Sequence, residues 1–139
     1  MTTQPAPLTA ASTALCINEM QVSTTGSDWE FFELFGAAGT SLDGYALVGI
    51  ESDAGTSMGV VDLVIDLSSL ALDAGGYFLA ADPNAVAAYG VSPDLAIAAN
   101  SFENSTAAYF LVSGFTGTAG ADLDTNNDGI LDLTPWSAV

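Results

Sequence analysis

The chain contains no lysine, no arginine and no histidine. Against that absence stand seventeen aspartates and glutamates, for a formal net charge of −17. No side-chain salt bridge can form inside such a subunit, and its only protein cation would be an N-terminal amine. Every carboxylate must be solvated, protonated, hydrogen-bonded to N–H or hydroxyl groups, or bound to a metal. Missing cations also exclude whole classes of function. Nucleic-acid binding depends on Lys and Arg neutralising phosphates, and anionic membrane surfaces repel this chain. Without His there is no ordinary catalytic triad and no imidazole ligand for zinc or copper. Hard, oxygen-seeking cations remain, calcium first. A divalent ion bound to the folded state would relieve self-repulsion and add stability by mass action.

Cysteine is nearly absent too. Cys16 stands alone, so no intrachain disulfide is possible. It follows Ala14 and Leu15 in a strand-like run and reads as a small core residue. A lipidated cysteine would need a small residue before it, and Leu15 stands there. No segment reads as a signal peptide, and no uninterrupted apolar run is long enough to span a bilayer.

What is present suits one domain. The chain has 139 residues, and half of them are apolar, enough to build a core. Residues 1–13 are small, polar and proline-bearing, and read as a flexible tail or linker. The remainder, 14–139, reads as short strands separated by Gly, Asp, Ser and Thr. The expected strands are Ala14–Ser23, Trp29–Phe35, Tyr45–Glu51, Val60–Leu67, Tyr77–Ala81 and Ala107–Ser113. In the fourth, Val61, Leu63, Ile65 and Leu67 alternate with Asp62 and Asp66, the two-residue period of a half-buried strand. The last is apolar on both faces, as a central strand would be. Asp82-Pro83 suits the start of one short helix ending at Gly90. The expectation is an all-β, antiparallel sandwich with one short helix.

The segment WEFFELF mixes carboxylates with bulky apolar groups on both faces. Either a bulge or the sheet rim accommodates the glutamates, or backbone N–H groups or a metal hold one of them near the core.

The strongest chemical signal is DLDTNNDGILD, Asp122–Asp132. Asp124, Asn126 and Asp128 alternate, bringing three side-chain oxygens toward one point as the loop curls. Gly129 permits the sharp turn. The backbone carbonyl of Ile130 and the carboxylate of Asp132 would follow as ligands. This matches the first nine positions of an EF-hand-type calcium loop. Position twelve departs from it, because Pro135 stands where a bidentate Glu is needed. The segment is more similar to the short aspartate-rich calcium loops of extracellular repeat modules, where a further ligand comes from elsewhere; Asp122 is a candidate. The plain alternative is an acidic, solvated turn. Leu131, with Leu133 and Trp136, is expected to tether the loop to the core.

Three segments together carry a family resemblance. INEMQVSTTGSDWEFFELF (Ile17–Phe35) resembles the opening of bacterial lamin-tail-like domains, a strand ending in I-N-E and then W-E-F-x-E-L. GTSLDGYALVGIES (Gly39–Ser52) resembles their L-x-G-x-x-L turn and strand. NSFENSTAAYFLVSGFTG, the Asp-rich loop and Pro135-Trp136 follow in order, so the resemblance runs from about Ala14 to Trp136. It implies an immunoglobulin-like β-sandwich in a secreted or surface protein, where such domains are accessory modules beside catalytic ones. Asn18, Glu19, Glu30 and Glu33 match motif positions, with a structural role implied: tying strand ends to backbone groups. The resemblance also implies a further strand after the Pro-Trp segment. Either that strand begins at Trp136 and is short, or the chain is truncated, or a strand comes from elsewhere, for instance from a neighbour's N-terminal tail.

Three functions follow as expectations. The first is a calcium-stabilised extracellular module, not itself an enzyme, with calcium ions and an attached catalytic domain as partners. The second is a structural subunit that assembles with its own copies into a calcium-dependent filament at the cell surface. The third is a hydrolase fragment using paired carboxylates. Glu30 and Glu33 serve that poorly, since a spacing of three on a strand puts them on opposite faces.

Overall fold

The computed structural model describes residues 14–22, 26–55 and 57–137. The expected N-terminal tail, 1–13, lies outside the described residues. Seven strands and one helix follow in the order β1 (Cys16–Gln21), β2 (Phe31–Phe35), β3 (Tyr45–Glu51), β4 (Val61–Asp66), β5 (Tyr77–Ala81), α1 (Pro83–Tyr89), β6 (Leu95–Ala96) and β7 (Ala107–Ser113). They form a four-stranded sheet in the order β1-β2-β5-β6 and a three-stranded sheet in the order β4-β3-β7. No described helix is long and apolar enough to cross a membrane.

The two sheets enclose a common core, the arrangement of a β-sandwich. Phe32, Leu34, Phe78 and Ala80 from the first sheet meet Leu47 and Leu111 from the second, with Leu42, Leu67, Leu72 and Phe102 closing the ends. The alternation in β2 decides which side faces in. Phe32 and Leu34 are buried, while Phe31, Glu33 and Phe35 look outward and are only partly covered. A strand has a side-chain period of two, so this register also sets the outer face of the neighbouring β5.

The second sheet is covered on both faces. Behind the main core lies a second apolar cluster, in which Ala46, Val48, Ile50, Val61 and Val112 meet Leu123, with Phe110, Phe115, Leu131 and Trp136 packed against them. The segment after β7 therefore folds back over the outer face of its own sheet. Trp136 lies nearly parallel to Phe110, at 5.8 Å between ring centroids. The double coverage explains why β3 is buried along almost its whole length.

Four expectations need correction. β7 is not central: among the described residues it pairs with β3 alone and sits at the edge of its sheet. Its apolar faces arise from coverage on both sides, which looks the same in sequence as a central position. The sheets are not wholly antiparallel, because β6 pairs parallel with β5. That strand has two residues, too short for a periodic signal. Cys16 is exposed rather than in the core, its thiol directed to the Phe35 carbonyl at 3.7 Å. In the β1 register it pairs with outward-facing Phe35. Leu133 does not tether the loop, being 58% exposed, whereas Leu131 and Trp136 do pack on the core.

The short helix forms as its caps predict. The Asp82 carboxylate accepts the Ala85 N–H at 2.6 Å, and Gly90 closes the helix in the left-handed conformation at φ 66°.

Candidate metal centre

The Asp-rich loop is anchored before it curls. Ala121 accepts from the Val61 N–H at 2.8 Å, and the Leu123 N–H donates to Gly59 at 3.0 Å, so the lead-in lies against the start of β4. Leu123 enters the second core, and Asp124 follows it inward and is 1% exposed. Gly59 makes that depth possible. A Cβ built there would stand 2.4 Å from the Asp124 Cβ, at a φ of +84° that side chains rarely adopt. Glycine is the residue that lets the two backbones approach.

Asp124 then organises the curl. Its carboxylate accepts the Gly129 N–H at 2.8 Å and the Asp128 N–H at 3.2 Å. The Asn126 amide oxygen accepts from Asp128 N–H at 3.0 Å, and the Asp128 carboxylate from Ile130 N–H at 2.9 Å. Asp132 reaches back to Thr125, accepting from its N–H at 2.9 Å and its hydroxyl at 2.7 Å. Asn127 takes the left-handed conformation at φ 55°, which its short polar side chain tolerates. These bonds bring Asp124, Asn126 and Asp128 into one turn and close it with Asp132. Asp122 stands apart, its carboxylate accepting from Asp124 N–H at 3.0 Å. The Ile130 side chain is 71% exposed.

The donors of this loop fit a hard cation by chemistry, since carboxylate, amide and carbonyl oxygens are the ligands calcium takes. The Asn127 Oδ1 is also buried and meets no donor among the described residues. Among the described residues, no three acidic or cysteine side chains converge as a ready-made cage. The carboxylates are turned onto backbone N–H groups instead. A cavity of about 260 Å³ separates the loop from the end of β3, with Glu51, Met58, Gly59 and Asp124 in its walls.

A second acidic centre lies where β2 begins and β5 ends. Glu30 and Asp82 are both 0% exposed. The Glu30 carboxylate accepts from Ser101 N–H at 2.7 Å and Phe102 N–H at 3.2 Å. Asp82 joins β2 to the helix, accepting from Glu30 N–H at 3.3 Å with the oxygen that also caps α1. Its other oxygen, Oδ2, is buried without a donor among the described residues. Burial pushes the Glu30 carboxyl above its ordinary range. The two N–H groups offset part of that, while the Asp82 and Asp28 carboxylates push the same way as burial. Of the two readings of WEFFELF, this is the one with a glutamate held near the core by backbone N–H groups. Glu33 lies on the other side of β2, bonded to the Asn18 amide at 2.6 Å. The two glutamates share no site.

No family model, curated protein or solved structure matches the chain.

Sequence reasoning found the loop and missed two things that hold the acids. Gly59 carried the signal of an ordinary turn, and nothing local marks it as the socket for Asp124. The Asp82 cap was legible, but its bond to the Glu30 N–H spans 52 positions and belongs to the fold.

Proposed function

We propose that this chain is a calcium-stabilised, non-catalytic extracellular module with a lamin-tail-like, immunoglobulin-like architecture. The observation that carries the calcium reading is the closed turn from Asp124 to Asp132, with Asp124 buried and the N–H groups of Asp128 and Gly129 gathered on it. Asp124, Asn126, Asp128, Asp132 and the Ile130 carbonyl would hold the ion, with Asp122 as the additional donor. The ion would supply the positive charge that the chain lacks and fix the segment covering the second sheet. Support for the family reading comes from its two opening motifs, which pair as neighbouring strands β1 and β2 and are tied by the Asn18–Glu33 bond.

The test is thermal melting of the protein after chelator treatment, titrated with calcium and then magnesium. Calcium at one hundred times its Kd is expected to add about 2.7 kcal/mol, with a far smaller response to magnesium. Asp128→Asn, at an exposed position, should reduce the response without unfolding the apo protein. No shift with either ion would reduce the segment to an acidic turn and sink the calcium reading.

A filament is the second reading, favoured by the position of β1 at the edge of its sheet. An open edge pairs readily with a strand from another chain. Light scattering on the same samples separates the two: growth of large particles with calcium supports assembly, and monodisperse monomers with and without calcium rule it out.

A further inference from the structure

The outer face of the first sheet carries a different feature from the loop. Glu19 on β1 and Glu33 on β2 are directly opposed in the register of the two strands. Like charges placed opposite each other destabilise a strand pair; the Asn18 amide, 2.6 Å from Glu33, offsets part of that, and the chain has no Lys, Arg or His to offset the rest. Both line one groove of about 360 Å³, whose other walls include Phe31, Leu79 and Tyr89. The aromatic side of that groove is held in place. The Tyr89 hydroxyl donates to the Gln21 amide oxygen at 3.0 Å, and the Tyr89 ring stands edge-on to Phe31 at 5.9 Å and to Trp29 at 5.7 Å. Tyr89 is nonetheless 47% exposed, and Trp29, Tyr77 and Val91 on the same side of the molecule are exposed as well. An apolar patch of this kind on a highly charged protein marks an interaction surface.

We infer that this groove receives an arginine side chain from a different protein. The chemistry selects the occupant. The Glu19 carboxylate and the Glu33 oxygen that Asn18 leaves open are acceptors for a guanidinium, whose planar set of N–H groups pairs with carboxylates. The Phe31 and Tyr89 rings that line the groove suit the same planar cation. The apolar wall at Leu79 accepts the aliphatic stem. A second copy of this chain cannot supply that group, since it has no basic side chain. The groove is therefore a hetero-interaction site, and it is independent of whether the Asp-rich loop holds calcium.

The test uses the whole chain with a chelator present, so that the loop plays no part. The probe is a pentapeptide of four glycines around one arginine, with its citrulline twin as the neutral isostere, titrated while backbone amide shifts are followed by NMR. The arginine peptide should move the amides of Glu19, Phe31, Glu33 and Tyr89, and the citrulline peptide should bind at least tenfold more weakly. Glu19→Gln should weaken arginine binding about tenfold and should not lower the melting temperature, because it removes a like-charge contact. Asp62→Asn removes the same charge from an exposed site on β4 and should leave binding within twofold. Equal losses in the two variants would mean that only overall charge attracts the peptide, and the site would be abandoned. Equal binding of the citrulline peptide, or shifts spread over other faces, would overturn it as well.

Discussion

The Asp122–Asp132 loop buries one carboxylate, that of Asp124, and the Glu30–Asp82 pair buries two, in a chain without a basic side chain, yet they draw their donors from different distances. Asp124 takes N–H groups four and five residues ahead of it. Glu30 takes its donors from 71 and 72 residues ahead. The loop is thus a local object whose curl depends on its own sequence, seated by non-local contacts at Gly59, at Val61 and in the second core. The pair exists only when β2, α1 and the turn before β7 meet. In both places, backbone N–H groups perform the work that Lys and Arg perform elsewhere. Exposed turns repeat the device: Asp43 accepts from Ser69, Asp73 from Gly75 and Tyr77, and Asp94 from Leu79.

Substitutions can break this comparison at either end. The largest effect is expected from Gly59→Ala, which drives a methyl group into the Asp124 backbone. It should cost about 4 kcal/mol through strain and lost packing, read from urea unfolding, and it should abolish any calcium response. Glu30→Ala comes next. It leaves the Ser101 and Phe102 N–H groups without their acceptor, at a net cost of about 3 kcal/mol. Asp82→Ala removes the helix cap, worth about 1 kcal/mol, and also frees the buried oxygen that meets no donor among the described residues. A larger loss would mean that the contact with Glu30 N–H matters more than the cap.

The smallest effect is a pH slope. Glu30 titrates above its ordinary 4.5 in the folded protein. A raised carboxyl stabilises the fold fully below its unfolded value, and that contribution fades as pH rises through the folded value. Asp43, Asp53 and Asp66 run the opposite way. Hydrogen bonds from Ser69, Thr106 and Ser68 respectively lead the causes that lower them, so their contribution is present above 3.8 and is lost as pH falls. Glu30→Gln should therefore flatten the decline in stability on the neutral side and leave the acid limb in place. Urea midpoints from about pH 3 to about pH 8 would show it. An unchanged neutral limb would mean that repulsion over the whole surface sets the slope.

Much of the fold was legible. β3, β5 and β7 have the bounds that their apolar runs and flanking turns predict, and α1 starts and stops at its caps. These features are local: side-chain period, glycine turns and one Asp-Pro start. The position of β7 was not legible, since an edge strand covered on both faces carries the same apolar pattern as a central one. The exposure of Cys16 was not legible either. Its face depends on the β1–β2 register, which shifts between Ile17 and Glu19. The groove around Glu19 and Glu33 is illegible for the same reason, because opposition across two strands is a property of pairing.

By itself, the sequence determined that no carboxylate here would find a basic side chain, that short strands would alternate with turns, and that Asp124, Asn126 and Asp128 would share one curl. These follow from composition and from contacts a few residues long. Tertiary structure alone decided which acids are buried, which N–H groups hold them and which two glutamates face each other. Those outcomes depend on strand register and on the closing of long loops, where donors and acceptors far apart in the chain become neighbours only after the sheets have packed.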